Sequence, residues 1–436
     1  MTSEIGAHYA EAYVWVWLPD ATEPVVAGRI SRQGQQLVFN YGRSYLAHQD
    51  AIALYAPELP LRSGPISLLP GLNMPSCIRD ASPDAWGRRV LINRKLGIQG
   101  GDASLIELDE LTYLLESGSD RIGALDFQIS ATQYVQRHTQ QPLLEELLTA
   151  AEKVDRGVML SPELDQALLH GTSLGGARPK VLIEDGERKF IAKFSASNDL
   201  YSVVKAEFIA MRLAEKVGLD VAPVHLRSVL GKDVLLIERF DRVRSGEHWR
   251  RRAMVSALTL FELDEMMAAY ASYEKLAEII RYRFKDPKAT LRELFSRIVF
   301  NILCGNTDDH ARNHAAFWDG KQLTLTPAYD ICPQSRSGQQ ASQAMLIRGA
   351  DRTSQVGTCI AAASVFLLNQ EEAIHIVNHQ VQVIEHEWQA TCDEAALSEV
   401  DRALFWRRQF LNPFAFLDAP EGLRLLKATG SRPAPG

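Results

Sequence analysis

Residues Cys304 to Phe317 read CGNTDDHARNHAAF and place two carboxylates, two imidazoles and an asparagine within a few positions. Three readings compete: a metal cage, a helix start with a charged face, and the catalytic loop of a phosphotransferase. Phosphoryl transfer needs a carboxylate that orients the attacking hydroxyl and accepts its proton, and an amide oxygen that holds magnesium. In the kinase pattern H-R-D-L-x-x-x-N the asparagine follows the aspartate by about five positions. Asp308 and Asn313 have that spacing, whereas Asp309 and Asn313 do not. Asp308 is therefore the expected base and Asn313 the expected metal ligand, and Asp309 has no required role. Downstream, QLTLTPAYDICP supplies a second metal carboxylate, Asp330, after a strand-like alternation and a proline. It stands where the aspartate of D-F-G would stand, although no Phe-Gly follows. Magnesium, a hard cation, favours such oxygen ligands.

The transition-metal reading has less support. His310 and His314 are spaced i, i+4, but a zincin needs a glutamate directly after the first histidine, and Ala311 is there. No other His–Asp cluster offers the remaining ligands of a phosphohydrolase, so the histidines read as packing residues of the loop.

Two upstream stretches could meet a nucleotide. In GTSLGGARPKVLI, Gly171 to Ile183, three glycines including Gly175 and Gly176 precede a strand, which lets backbone N–H groups approach a phosphate. The stretch is neither a Walker A loop nor the protein-kinase glycine motif, and a plain connecting loop fits it equally well. In FIAKFS, Lys193 is flanked by apolar residues, and burying an ammonium is costly unless it is paired. Glu207, on the next helix in VKAEFIAMRL, is the natural partner; the competing reading is an edge-strand lysine facing water.

These residues need elements to carry them. YVWVWL, VVAGRI and QLVFNYG read as short strands, with a turn at SRQGQ. Helical spacing follows in DAWGRRVLINRKLG, stopping at Gly97, and in LIELDELTYLLESG, stopping at Gly118. The helix PLLEELLTAAEKVDRG precedes the pair KVLIEDGERKFIAKFS, where Asp-Gly signals a hairpin. A helix over VVKAEFIAMRLAEKVGL and strands over APVHLRSVL and VLLIERF complete this block, with Gly231-Lys232-Asp233 between the strands. After Asp241 the pattern is mostly helical, and SRPAPG is an expected frayed tail. Hairpin, helix, two strands and a helical remainder are how a bilobal kinase begins.

The chain has 436 residues, enough for two or three compact units. Its formal net charge of −7 argues against a surface built all over to hold nucleic acid. Five cysteines with no C-x-x-C pair are no disulfide framework and fit a reducing compartment. The N-terminus does not read as a signal peptide, and no stretch approaches the roughly 18 apolar residues of a spanning helix. The expectation is a soluble cytoplasmic protein that binds no membrane.

TSLGGARPK, IAKF, LIERFDR, NTDDHARNHAAF and PAYDI stand in an order and spacing that resemble the HipA family of bacterial serine/threonine kinases, toxins of persistence modules. LLPGLNMPSCIRDASPDAWGRRVL is similar to that family's N-terminal domain. The resemblance implies an α+β, two-lobed, protein-kinase-like fold with a β-rich N-terminal part and a mostly α-helical C-terminal lobe. It suggests an N-terminal domain over 1–150, an ATP-binding lobe over 151–242 and a helical catalytic lobe over 243–430. Carried over, it implies that ATP and Mg²⁺ lie between the lobes, with Lys193 on the phosphates and Glu238 and Phe240 in the hinge offering backbone groups to adenine. Asp308 would be the base, Asn313 and Asp330 would hold magnesium, and Ser173 would be autophosphorylated, with ejection of its loop. It further implies a protein substrate, such as an aminoacyl-tRNA synthetase, and a helix-turn-helix antitoxin through which DNA is reached indirectly.

One departure concerns the segment after ERFDR. It reads HWRRRAMVSALTLF where the best-known members have a glutamine- and acid-rich run. Arg250 to Arg252 is either a solvated face or a contact to an acidic or nucleic-acid-bearing substrate. Two other functions stay open at this point: a small-molecule kinase on the same scaffold, and a non-catalytic, antitoxin-binding co-regulator.

Overall fold

The computed structural model describes residues 9–96, 107–137, 143–155, 178–195, 199, 201–336 and 340–417, with a few single positions besides. Ser173, Gly175 and Gly176, together with Gly97 and the SRPAPG tail, lie outside the described residues.

The N-terminal part is an antiparallel sheet of order β3-β2-β1-β4, from β1 (Glu11–Val16), β2 (Val25–Gln33), β3 (Gln36–Tyr41) and β4 (Leu125–Gln128). Between β3 and β4 run the helices Ser76–Arg79, Ala85–Leu96 and Glu110–Glu116. The last begins later than its apolar pattern suggests, because Asp109 caps it by accepting from the Leu111 N–H at 2.8 Å.

The second unit is the sheet β5-β6-β8-β7, from β5 (Lys180–Asp185), β6 (Arg188–Phe194), β7 (Val224–Val229) and β8 (Lys232–Glu238). Gly186 turns the first hairpin at φ +62, as the Asp-Gly pair suggested. The second turn falls on Leu230 and Gly231, one step earlier than the expected Gly231–Asp233, and β8 already starts at Lys232. One face of this sheet meets the Val203–Lys216 helix. The other packs Val181, Phe190, Phe194 and Leu236 against Trp86 and Leu147 of the helices Ala85–Leu96 and Leu144–Asp155. The Leu144–Asp155 helix spans residue 150 and packs on this second sheet.

Among the described residues the part after Asp241 is mostly helical, as expected, with five short strands set into it. A hairpin of β9 (Arg242–Ser245) and β10 (His248–Arg251) comes first. A small sheet of β11 (Met254–Ser256), β12 (Ala315–Trp318) and β13 (Leu323–Leu325) then flanks the Cys304–Phe317 stretch. These strands are three or four residues long, too short to show an alternation. The helices Tyr273–Arg283, Pro287–Cys304 and Gln370–Glu394 build the remainder around one large apolar core. Among the described residues no helix is long and apolar enough to cross a membrane.

Candidate active site

The long helix Pro287–Cys304 delivers the loop. Asp286 caps its start with Pro287 in the first turn, and it stops at Gly305, which sits at φ +73. A Cβ there would stand 2.7 Å from the Gln409 carbonyl oxygen, so only glycine fits. Asn306 then steers the chain. Its Nδ2 donates to Asn301 Oδ1 at 2.9 Å, and its Oδ1 accepts from the Asp308 N–H at 3.3 Å.

The two adjacent aspartates part company here. Asp308 is exposed. Partial enclosure raises its pKa above the ordinary carboxylate range; His310 opposes this, and Asp330 and Asp309 add to it. Asp309 points inward and is buried. Its Oδ2 accepts from the Tyr273 hydroxyl at 2.5 Å and faces His314 Nε2 at 2.9 Å. It therefore has a role the spacing did not suggest, tying the loop to the Tyr273–Arg283 helix. The two histidines do not face one way: the loop is extended at His310 and closes in a 3₁₀ turn over Ala311–Asn313.

Asn313 is buried, and its Nδ2 donates to the Asp308 carbonyl at 3.1 Å, which turns Oδ1 away from that carbonyl. Asp330 follows β13 and Tyr329 in left-handed backbone, φ +59. That conformation costs a non-glycine residue on the order of 1–3 kcal/mol and is found where surrounding structure imposes it. Among the described residues no three His, Cys, Asp or Glu side chains gather into a metal cage. One amide oxygen and one carboxylate suit magnesium, which takes few protein ligands and completes its shell with water and phosphate oxygens.

Lys193 joins the lobes. It lies in β6, inside the sheet and 8% exposed, so the edge-strand reading does not hold. Its Nζ donates to Glu207 Oε1 at 2.7 Å and also to Asp330. Burial alone would depress this ammonium, but Asp330 and Glu207 outweigh it and hold the pKa above the ordinary lysine range. Burial pushes Glu207 the other way, upward, with Lys193 opposing.

A second lysine escaped the sequence reading. Lys180 pairs with Lys193 across β5 and β6 and is buried. Burial and the charge of Lys193 lower its pKa to about 8, against the pull of Asp330, Asp84 and Glu207.

At the hinge, the Glu238 N–H donates to the Pro223 carbonyl at 2.9 Å and the Arg239 N–H to Lys189 at 2.8 Å. Glu238 can thus offer only its carbonyl. The Phe240 N–H has no acceptor among the described residues, and its ring packs 5.9 Å from Phe317 and 5.7 Å from Tyr329. Directly behind it, Arg239 and Arg242 are buried against Asp241 and against Asp120 of the N-terminal part. Asp120 Oδ1 accepts from Arg239 at 3.0 Å and from Arg242 at 2.8 Å, and the Gly123 N–H donates to Asp241 at 2.8 Å. These residues lie more than a hundred positions apart, and no local pattern announces them.

Arg250 and Arg252 lie at the surface, as the solvated-face reading expects, whereas Arg251 turns inward. Arg250 pairs with Asp20 at 2.7 Å. Arg251 is buried, stacked 3.4 Å from the Trp17 ring centre and donating to the Ser119 carbonyl. Arg252 lies 3.2 Å over Phe317. Only Arg251 is buried; Arg250 is partly exposed and pairs with exposed Asp20, and Arg252 is exposed.

A four-stranded sheet with its helix, a hinge, and a helical lobe presenting an Asp–Asn loop define a two-lobed, kinase-like α+β fold. Residues 172–388 match the HipA-like C-terminal domain and residues 16–128 the HipA N-terminal domain, so the chain belongs to the HipA family. Y4mE of Sinorhizobium fredii, a protein named as a kinase, is 26% identical over 319 residues, 67% of this chain and 71% of that one. The serine/threonine-protein kinase toxin HipA of Shewanella oneidensis is 25% identical over 183 residues, 36% of this chain and 42% of its own. A Shewanella oneidensis HipA solved in complex with HipB and its operator DNA superposes with a TM-score of 0.65. The match covers 90% of this chain and 93% of that one at 19% identity, a likeness of fold.

Proposed function

We propose that the chain is an ATP- and magnesium-dependent serine/threonine protein kinase of toxin type. The observation that carries this reading is the convergence of Glu207 and Asp330 on one buried ammonium, Lys193. A strand lysine held by a helix glutamate, beside a metal-binding aspartate, is the arrangement phosphoryl transfer uses to place a triphosphate.

In this reading Lys193, kept protonated by its two carboxylates, binds phosphate oxygens, and Lys180 adds a second cation from the next strand. The hinge offers the Glu238 carbonyl and the Phe240 N–H to a purine edge. Asp308 orients the acceptor hydroxyl and takes its proton, and its solvent-facing position leaves room for a polypeptide. Asn313 and Asp330 hold magnesium, which neutralises charge on the transferred phosphoryl group when bound. Catalysis of this kind rests on positioning and electrostatics.

Ser173 is the proposed autophosphorylation site in the loop that carries Gly175 and Gly176, since about two added negative charges would repel that loop from the other phosphates. A helix-turn-helix antitoxin is the proposed partner, carrying the acidic chain to DNA, and an aminoacyl-tRNA synthetase is a proposed target. Phosphoproteomics after induced expression tests the reading. Serine or threonine phosphosites that rise with wild type and not with Asp308→Ala are expected; identical profiles would overturn it.

A further inference from the structure

The segment Asp80–Trp86, RDASPDAWG with its flanks, belongs to the N-terminal part but touches both kinase lobes. Asp80 accepts from the Ser256 N–H at 2.7 Å, the Ser256 hydroxyl at 2.7 Å and the Thr259 hydroxyl at 2.8 Å. Ser256 caps the short helix Ala257–Leu260, whose Ala257 N–H donates to the His314 carbonyl at 2.7 Å, at the end of the catalytic loop. Asp84 accepts from Arg312 Nη1 at 3.0 Å, and Arg312 stands between Asp308 and Asn313. The Trp86 indole, fully buried, donates to the Lys180 carbonyl at 2.9 Å, at the head of the strand that lies beside Lys193.

We infer that Asp80–Trp86 is a clasp across the two lobes, with Asp84 a positioning residue for the Asp308–Asn313 loop and Trp86 one for the strand of Lys180. The inference rests on the kinase reading above. A partly exposed pair such as Asp84–Arg312 contributes little to folding, so its effect falls on geometry. Arg312 is held at both ends: its guanidinium by Asp84 and by exposed Glu265, and its carbonyl by the Tyr329 hydroxyl at 2.7 Å, one residue before Asp330. A shift of Arg312 therefore moves the base and both magnesium ligands together. The segment 172–388 alone is on this account an incomplete catalyst.

The test uses the full chain with ATP and magnesium, reading kcat and KM for ATP separately, with thermal melts as the check on folding. Asp84→Asn is expected to lower kcat about tenfold with KM held within about twofold, the signature of a displaced reacting group. Trp86→Phe, which keeps an aromatic ring of smaller size and removes the donor, is expected to raise KM for ATP severalfold with kcat kept. Glu278→Gln, which breaks an exposed pair with Lys275 away from the clasp, is expected to leave both unchanged. If Asp84→Asn does not fold, Arg312→Lys reads the same contact, and a kcat loss with KM kept supports the clasp. An active wild type whose Asp84→Asn or Arg312→Lys variant keeps its kcat overturns the clasp and leaves the kinase reading intact. The same uniform loss from Asp84→Asn and Trp86→Phe also overturns it. A wild type that transfers no phosphate overturns both.

Discussion

Lys193 Nζ stands 2.7 Å from Glu207 Oε1 while donating to Asp330 on the opposite lobe. One ammonium thus ties strand β6, the Val203–Lys216 helix and the segment after β13. Lys193→Met should weaken ATP binding by at least about tenfold, roughly 1.4 kcal/mol, in calorimetry. An unaltered isotherm would place this lysine outside the phosphate site.

Asp308 and Asp309 are adjacent and should fail differently. Asp308→Ala should cut phosphoryl transfer by about 10²–10⁴-fold, the range for a general base, with unchanged stability. Asp309→Ala leaves the Tyr273 hydroxyl and His314 without their buried carboxylate. It should cost roughly 3–5 kcal/mol of stability, seen in chemical denaturation, with a milder effect on rate in the folded fraction. A larger loss of rate from Asp309→Ala than from Asp308→Ala would reverse the two assignments.

Lys180 gives a pH-dependent prediction. Its native pKa of about 8 lies below the unfolded lysine value of about 10.4, so the unfolded chain binds more protons between these limits and stability rises with pH across them. Triphosphate binding should restore the ammonium. Calorimetry at about pH 8.5 in buffers of different ionisation enthalpy should show net proton uptake, absent in Lys180→Arg. Equal uptake in that variant would remove Lys180 from the account.

The hinge network should make the fold acid-labile. Burial would raise Asp120 and Asp241, but Arg239 and Arg242 hold both below the ordinary carboxylate range. The stability they contribute is full above the unfolded pKa of about 3.9 and is lost as pH falls through the lowered native values. Asp120→Asn should lower stability at pH 7 by about 3 kcal/mol and flatten the acid limb. Denaturation at pH 6, 4.5 and 3 checks this, and an identical acid limb in the variant would contradict it.

What could be read from the chain follows its locality. Asp308 and Asn313 share one loop, so their spacing alone separated Asp308 from Asp309. Lys193 drew notice because an ammonium among apolar residues needs a partner, and the next helix offered Glu207. Lys180 follows a proline at the edge of a glycine-rich stretch and reads as loop end; only its register opposite Lys193 reveals it. Arg251 looks as solvated as its neighbours Arg250 and Arg252, because the Trp17 ring that covers it is far away in sequence. The Asp120 network and the Asp80–Trp86 clasp are contacts between distant segments, and no periodicity within either segment encodes them.

Transfer of labelled γ-phosphate from ATP in the presence of magnesium tests the central claim most directly. The purified chain should label itself or an added protein on serine or threonine, Asp308→Ala and Asp330→Ala should cut the signal by about 10²-fold or more, and Lys193→Met should weaken it. A folded wild type that transfers no label, or an Asp308→Ala chain that labels as well as wild type, would contradict it.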